Sequence, residues 1–201
     1  MERRGRPRVA AESLNPILLA TVGLIAERGT ASVSMRDIAA AAGVSVGRLQ
    51  HHFENRRNLV RRAQTWYLQS VVEELAAISA GPSGVWDRLM GMCLHAAAGG
   101  DRGRRVAVWI DLLAQSPRDP EVRALVAEIN ERWCAVMEKI IGEGVEAGVF
   151  RPVLGVRETA ETLVLLVDGL DVAELTGPAS GLGRDRRLAV AAGLLLGVDE
   201  D

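Results

Sequence analysis

The stretch IAAAAGVSVGRLQHHF, Ile38–Phe53, constrains the fold of this chain more than any other. Ile38 and Ala39 share one face of a helix, and alanine is small enough there for a second helix to cross closely. Ser34, with Asp37 three residues on, forms the pattern of a capping box at the start of that helix. Gly43 stands where the chain must turn sharply, a place that favours positive φ. Val44 fills the gap, Ser45 is placed to cap the next helix, and Leu49 with Phe53, four residues apart, seats that helix on a core. Two helices crossing at a turn of about three to four residues make a helix-turn-helix. Its second helix is then expected to present Val46, Gly47, Arg48, Gln50 and His51 to solvent or to a major groove, with Ser45 at its start as a further DNA contact.

Almost every other segment also reads as helix. NPILLATVGLIAERG places Asn15 at an N-cap, Pro16 at the first helical position and Gly29 beyond the end. Helical patterns continue over about 55–80, 85–98, 104–116, 120–147, 156–175 and 186–197, broken by GPSG, GGDRG, SPRDP and TGPASGLG. No stretch shows strand alternation bounded by turn residues. The expected fold is all-α: an N-terminal three-helix helix-turn-helix head and a C-terminal helical body. The expected boundaries are an arm over 1–14, a head over 15–62 and a body over 63–201. The apolar run Ile17–Ala26 sits between Pro16 and a charged Glu-Arg pair without a cleavage pattern, so it is read as a core helix rather than a secretion signal. No apolar run reaches the roughly 18 residues that a membrane span needs. The two cysteines, Cys93 and Cys134, lie far apart and do not suggest a disulfide framework. A cytoplasmic setting is expected.

Charge is distributed unevenly. The formal net charge is −2, yet residues 1–62 carry 11 Lys+Arg against 5 Asp+Glu, and the remainder carries 13 against 21. One end is suited to meet a polyanion and the other to avoid it. The arm RRGRPR contributes Arg4, Arg6 and Arg8. An extended Arg-Gly-Arg-Pro is able to lie in a narrow A·T minor groove, because Gly5 permits close approach and Pro7 keeps the chain extended. Contact with phosphates alone is the other reading of the same residues.

From AERG (Ala26–Gly29) through RDIAAAAGVSVGRLQHHF to NRRNL (Asn55–Leu59), the sequence resembles the TetR family of bacterial transcriptional regulators. The similarity is carried by Ile38, Ala39, Ala42, Gly43, Val44, Ser45, Gly47, Leu49, His52, Phe53 and Leu59. Gln50 stands where the family commonly has Tyr, and Arg56 where it commonly has Lys. The resemblance implies double-stranded DNA as partner, with Arg48 reading a guanine edge and Gln50 suited to adenine. Arg36 is placed to read a base or hold a phosphate. Ser34, His52 and Arg56 are expected to contact the DNA backbone, which fixes register rather than sequence.

For the body, the resemblance implies a small-organic-effector and dimerisation domain, with the homodimer formed by a helix near 120–147, or its end, together with that near 156–175. Trp86, Met90, Cys93, Trp109, Leu113, Trp133 and Met137 are the expected effector-lining residues, although a Met/Trp stripe at helical spacing is also what plain core looks like. Asp111, Asp168 and His95 are further polar candidates. Adjacent His51 and His52 point about 100° apart, and Cys93-x-His95 has the same defect, so no metal site is expected. No nucleophile motif or Gly-rich phosphate loop after a strand supports catalysis, and no cofactor is expected. These expectations together describe a repressor on a pseudo-palindromic operator, released by a small effector. The rival is an architectural protein that packs A·T-rich DNA with no effector.

Overall fold

The computed structural model describes residues 14–98, 102–177, 181 and 183–198. Arg4, Arg6 and Arg8 lie outside them, and so does the side chain of His95. The described residues form nine α-helices and no strand.

Helix α1, Asn15–Arg28, starts one residue earlier than the cap pattern suggests. Leu14 occupies the cap position without a side-chain cap bond, and Pro16 falls in the first turn, where its missing N–H is harmless. A short 3₁₀ turn, Thr30–Ser32, leads into α2, Met35–Ala42. The capping box is formed: the Ser34 hydroxyl accepts from the Asp37 amide while the Asp37 carboxylate accepts from the Ser34 amide. Gly43 ends α2 with φ 64° and ψ 32°, the left-handed geometry that the turn requires. Helix α3, Val46–Phe53, is capped by the Ser45 hydroxyl, which accepts from the Arg48 amide at 3.2 Å. Only Glu54 and Asn55 separate it from α4, Arg56–Ser79, and Asn55 caps α4 by accepting from the Asn58 amide at 2.9 Å.

The body follows as α5 (Val85–Ala98), α6 (Arg102–Gln115), α7 (Pro120–Glu146), α8 (Val156–Thr176) and α9 (Arg184–Leu196). Asp119 caps α7 by accepting from the Glu121 and Val122 amides. At the far end of α7 the chain doubles back so tightly that a Cβ on Gly144 would stand 2.0 Å from the Phe150 ring, so glycine is needed there.

Two apolar clusters organise the molecule. One joins α1, α2 and α3 to the first half of α4, to Val108, Trp109 and Leu112 of α6, and to the start of α7. The other gathers Leu75, α5, the second half of α7, α8 and α9. Helices α4 and α7 run through both, so the helix-turn-helix rests on the body through shared core rather than through a linker. Helix α6 packs against α1 and also against α8, which gives it contact with both ends of the molecule. No described helix is long and apolar enough to cross a membrane.

The side chains of α7 are mostly spent on the core. Val122, Leu125, Ile129, Met137, Ile140 and Ile141 are all consumed within the chain. Exposed large apolar side chains remain at the end of α7 (Val145), on α8 (Leu165, 71 % exposed, Val172 and Leu175) and on α9 (Leu194, 73 %).

Candidate nucleic-acid interface and internal cavity

Leu49 is fully buried and Phe53 is 3 % exposed, and both hold α3 against the head. With about 100° of turn per residue, Gly47 and His51 fall on the opposite side and Gln50 on its flank, and all three are exposed together with His52. The rings of His51 and His52 meet edge to face at 5.1 Å. Arg48 is half-buried at the border of this face. Arg36, on α2, is exposed as well.

Four residues of the expected interface have duties inside the molecule, the first being Ser45, whose hydroxyl caps α3. Val46 is half-buried and packs on the head core instead of standing free. The Ser34 hydroxyl is engaged with Asp37 at the capping box. Arg56 turns inward: its guanidinium donates to the carbonyls of Val33 and Thr30, tying α4 to the loop before α2. A backbone-contact pattern on the sequence does not reveal this, because the acceptors lie 23 and 26 residues away.

A narrow apolar cavity of about 30 Å³ lies where the two clusters meet, room as it stands for a water-sized guest or two. Its walls are Leu68, Val71, Val72 and Leu75 of α4, Val106 and Ile110 of α6, Ile129 of α7 and Val172 of α8, with Trp109 and Trp133 among them. Polar atoms enter it from Arg105, Asp168 and Asp171. The Trp109 indole N–H donates to Asp168 Oδ2 at 3.2 Å. Burial pushes the Asp168 carboxyl up to about 6, against the lowering effect of the Trp109 bond; Asp171 adds to the rise and Arg105 opposes it. The Trp133 indole N–H is buried with no acceptor among the described residues.

Of the seven expected lining residues, Trp109 and Trp133 reach this cavity. Met90, Cys93 and Met137 are buried in the second cluster, with Trp86 packed edge to face on Phe150 at 6.4 Å, and Leu113 packs on the first cluster. Helical spacing shows that these side chains share an inward side but not which neighbour they meet. Burial pushes the Cys93 thiol up to about 12, so it is an inert core group.

A helix-turn-helix joined through shared core to a helical body with an apolar cavity is matched along most of the chain. Residues 17–63 match the bacterial regulatory proteins of the tetR family, and residues 86–198 match the BetI-type transcriptional repressor, C-terminal. The chain belongs to the TetR family. It is a DNA-binding transcriptional regulator. Among relatives, the HTH-type transcriptional regulator CymR of Pseudomonas putida is 28 % identical over 151 residues, 75 % of this chain and 74 % of CymR. The HTH-type transcriptional repressor KstR2 of Mycobacterium tuberculosis is 26 % identical over 144 residues, 70 % of each chain. Among solved structures, a regulator from Saccharomonospora viridis in complex with choline aligns with a TM-score of 0.77 at 26 % identity, covering 92 % of this chain and 95 % of that one. A Rhodococcus TetR-family regulator aligns with a TM-score of 0.76 at 25 % identity, covering 90 % and 97 %.

In this TetR-family chain, α6 joins the cavity to the head. Two residues beyond Trp109, Asp111 accepts from the Thr30 amide at 3.1 Å and from the Thr30 hydroxyl. Gln115 steadies the same carboxylate at 2.8 Å. On the other side of Thr30, Gln64 of α4 donates to its hydroxyl at 3.2 Å, and Arg56 holds its carbonyl. The loop that sets the start of α2 is thus gripped from α6 and α4 together. Asp111→Ala is expected to leave the helices intact and to raise the exchange rate of the Thr30 amide by the equivalent of about 1–2 kcal/mol. Native-state hydrogen exchange checks this; unchanged protection of Thr30 would mean the latch carries no strain or load.

Sequence reasoning missed Arg105, Asp171 and Arg184. Arg184 opens α9 yet is only 4 % exposed, a burial that an arginine beside Asp185 and Arg186 does not advertise. Besides its neighbour Asp185, its partners are Asp171 of α8 and the Cys93 carbonyl of α5.

Proposed function

We propose that the protein is a homodimeric operator-binding repressor that lets go of DNA when a small molecule occupies the cavity between α4, α6, α7 and α8. The observation that carries this reading is the double duty of α6. Trp109 and Arg105 line the cavity, and Asp111 on the same helix holds the loop that positions the helix-turn-helix. A ligand that binds one arrangement of α6 better than another shifts the population of head orientations by that difference in affinity. The choline complex of the S. viridis neighbour supports a small organic occupant.

Dimerisation is assigned to α8 and α9, whose exposed leucines would otherwise face water. A two-fold pair places two copies of α3 about one helical turn of DNA apart, or a little more, on a pseudo-palindromic site. Residues 15–62 are taken as the reading head and 63–201 as the body. The Arg4–Arg8 arm adds contacts to phosphate or to an A·T minor groove, as its chemistry allows.

The test is selection of bound duplexes from a random pool by the full chain, followed by competition. A two-fold-symmetric consensus that resists displacement by random duplex is the expected result. Equal displacement by both would replace this reading with architectural DNA binding. Within the consensus, Arg48→Ala is expected to lose about 1–3 kcal/mol of discrimination at one base pair per half-site. If the variant retains the wild-type ranking of operator variants, Arg48 does not read a base.

A further inference from the structure

Helix α6 is held toward both ends by polar contacts of fixed geometry. At its start, Arg102 reaches one carboxylate oxygen of Asp171 at 3.0 Å and Arg105 reaches the other at 3.4 Å. Asp171 lies on α8, is 6 % exposed, and also receives Arg184 of α9 at 2.8 Å. Arg184 in turn donates to the Cys93 carbonyl of α5 at 3.3 Å. Arg102 has a second carboxylate on α8, that of Glu174. One buried acid thus fastens the first turn of α6 to the two helices that carry the exposed leucines. Toward the other end of α6, Asp111 accepts from the amide and hydroxyl of Thr30, in the loop that sets the start of α2. Between Arg102 and Asp111 lies about 14 Å of helix axis. Val106, Val108 and Trp109 are buried along it, and no glycine or proline interrupts the run from Arg104 to Gln115. The usual causes of a kink are therefore missing from this run.

Resting on the reading of the chain as a dimer on a two-fold site, we infer that α6 is a strut that sets the spacing of the two recognition helices, with Arg102, Arg105 and Asp171 as the positioning residues at its body end. Apolar contact alone leaves the head room to slide over the body, because the hydrophobic effect is not directional and packed helices shear by small steps. Ion pairs to a desolvated carboxylate favour one register, since a partner that slips away leaves a buried charge unmet. The tolerance matters on the scale of the duplex. One added base pair moves two half-sites about 3.4 Å apart and turns one against the other by about 35°. A head free to drift by that amount no longer tells the two spacings apart. The three residues act on α3 through α6, Asp111 and the Thr30 loop.

The experiment compares full-length Arg102→Met/Arg105→Met with the wild type by fluorescence anisotropy on three duplexes. These are the selected operator, the same operator with one base pair inserted between its half-sites, and a single half-site. Asp171 keeps Arg184 in this variant, so its buried carboxylate is not stranded. The wild type is expected to bind the lengthened operator at least about ten-fold more weakly than the selected one. In the variant that penalty should fall to within about three-fold, while half-site affinity holds within about two-fold. Asp111→Ala, which releases the head end of the strut, is expected to lower the penalty likewise. A penalty that survives in Arg102→Met/Arg105→Met overturns the assignment. So does a parallel loss of half-site affinity, the mark of a general loosening of the head. Should that protein not fold, a penalty retained in Asp111→Ala overturns the strut by itself. A wild type with a two-fold consensus, beside strut variants that keep its spacing rule, sinks the strut alone; a wild type with no spacing preference takes down the dimer reading too.

Discussion

Replacing Leu49 by alanine is expected to cost about 3 kcal/mol of stability and to abolish measurable operator binding. Helix α3 has eight residues, too few to persist in water without tertiary support. That support comes from Leu49 and Phe53, the two residues of α3 buried in the head. Truncating Leu49 removes about half of this apolar anchorage and leaves a cavity, and losses of about 2–5 kcal/mol are usual at fully buried leucines. The freed helix then samples orientations in which Gln50 and His51 no longer share a surface with Arg36. Urea unfolding measures the first effect and fluorescence anisotropy with the selected duplex measures the second. Gln50→Ala is the control, since an exposed substitution is expected to stay within about 0.5 kcal/mol in stability. A Leu49→Ala protein of near wild-type stability and affinity would show that α3 is held by something other than this contact.

Asp171→Ala is expected to destabilise the body by about 3–5 kcal/mol, although it removes no apolar packing of consequence. Its carboxylate is buried and receives Arg102, Arg105 and Arg184; Arg184 is itself buried and donates from Nε at 2.8 Å. Deleting the shared acceptor leaves guanidinium groups desolvated and repelling one another, and the loss of one partner of a buried ion pair carries this kind of penalty. The double variant Asp171→Ala/Arg184→Met is expected to recover part of the loss, because it withdraws the most deeply buried of the stranded charges. A double-mutant cycle by chemical unfolding reads the coupling. A single-variant loss below about 1 kcal/mol would mean that the arginines find water or other acceptors at little cost. Either outcome also bears on the cavity, since Arg105 and Asp171 both line it.

The head was legible in the sequence because its determinants are local. The capping box of Ser34 and Asp37, the turn at Gly43, the cap at Ser45 and the i, i+4 pair Leu49–Phe53 each span only a few residues, and each was found where the pattern placed it. The body was legible as a succession of helices and no further. Trp109 and Trp133 were singled out with Trp86, Met90, Cys93, Leu113 and Met137, and nothing in the spacing separated the two that reach the cavity from the five that fill core. Helices of similar apolar content differ in partner, and partner choice follows from how whole helices cross.

By itself the amino-acid sequence determined the all-α fold, the helix-turn-helix and which side of α3 stays free, since backbone geometry at caps and turns is decided by neighbours within one or two turns. Only the tertiary structure decided that Arg56 serves the Thr30 loop, that α6 touches both cavity and head, and that three arginines gather on Asp171 while Asp168 is left with an indole. Those contacts join residues between 13 and 81 positions apart, from Arg184–Asp171 to Thr30–Asp111. The electrostatics of a buried charge depends on every group packed around it, wherever in the chain that group resides.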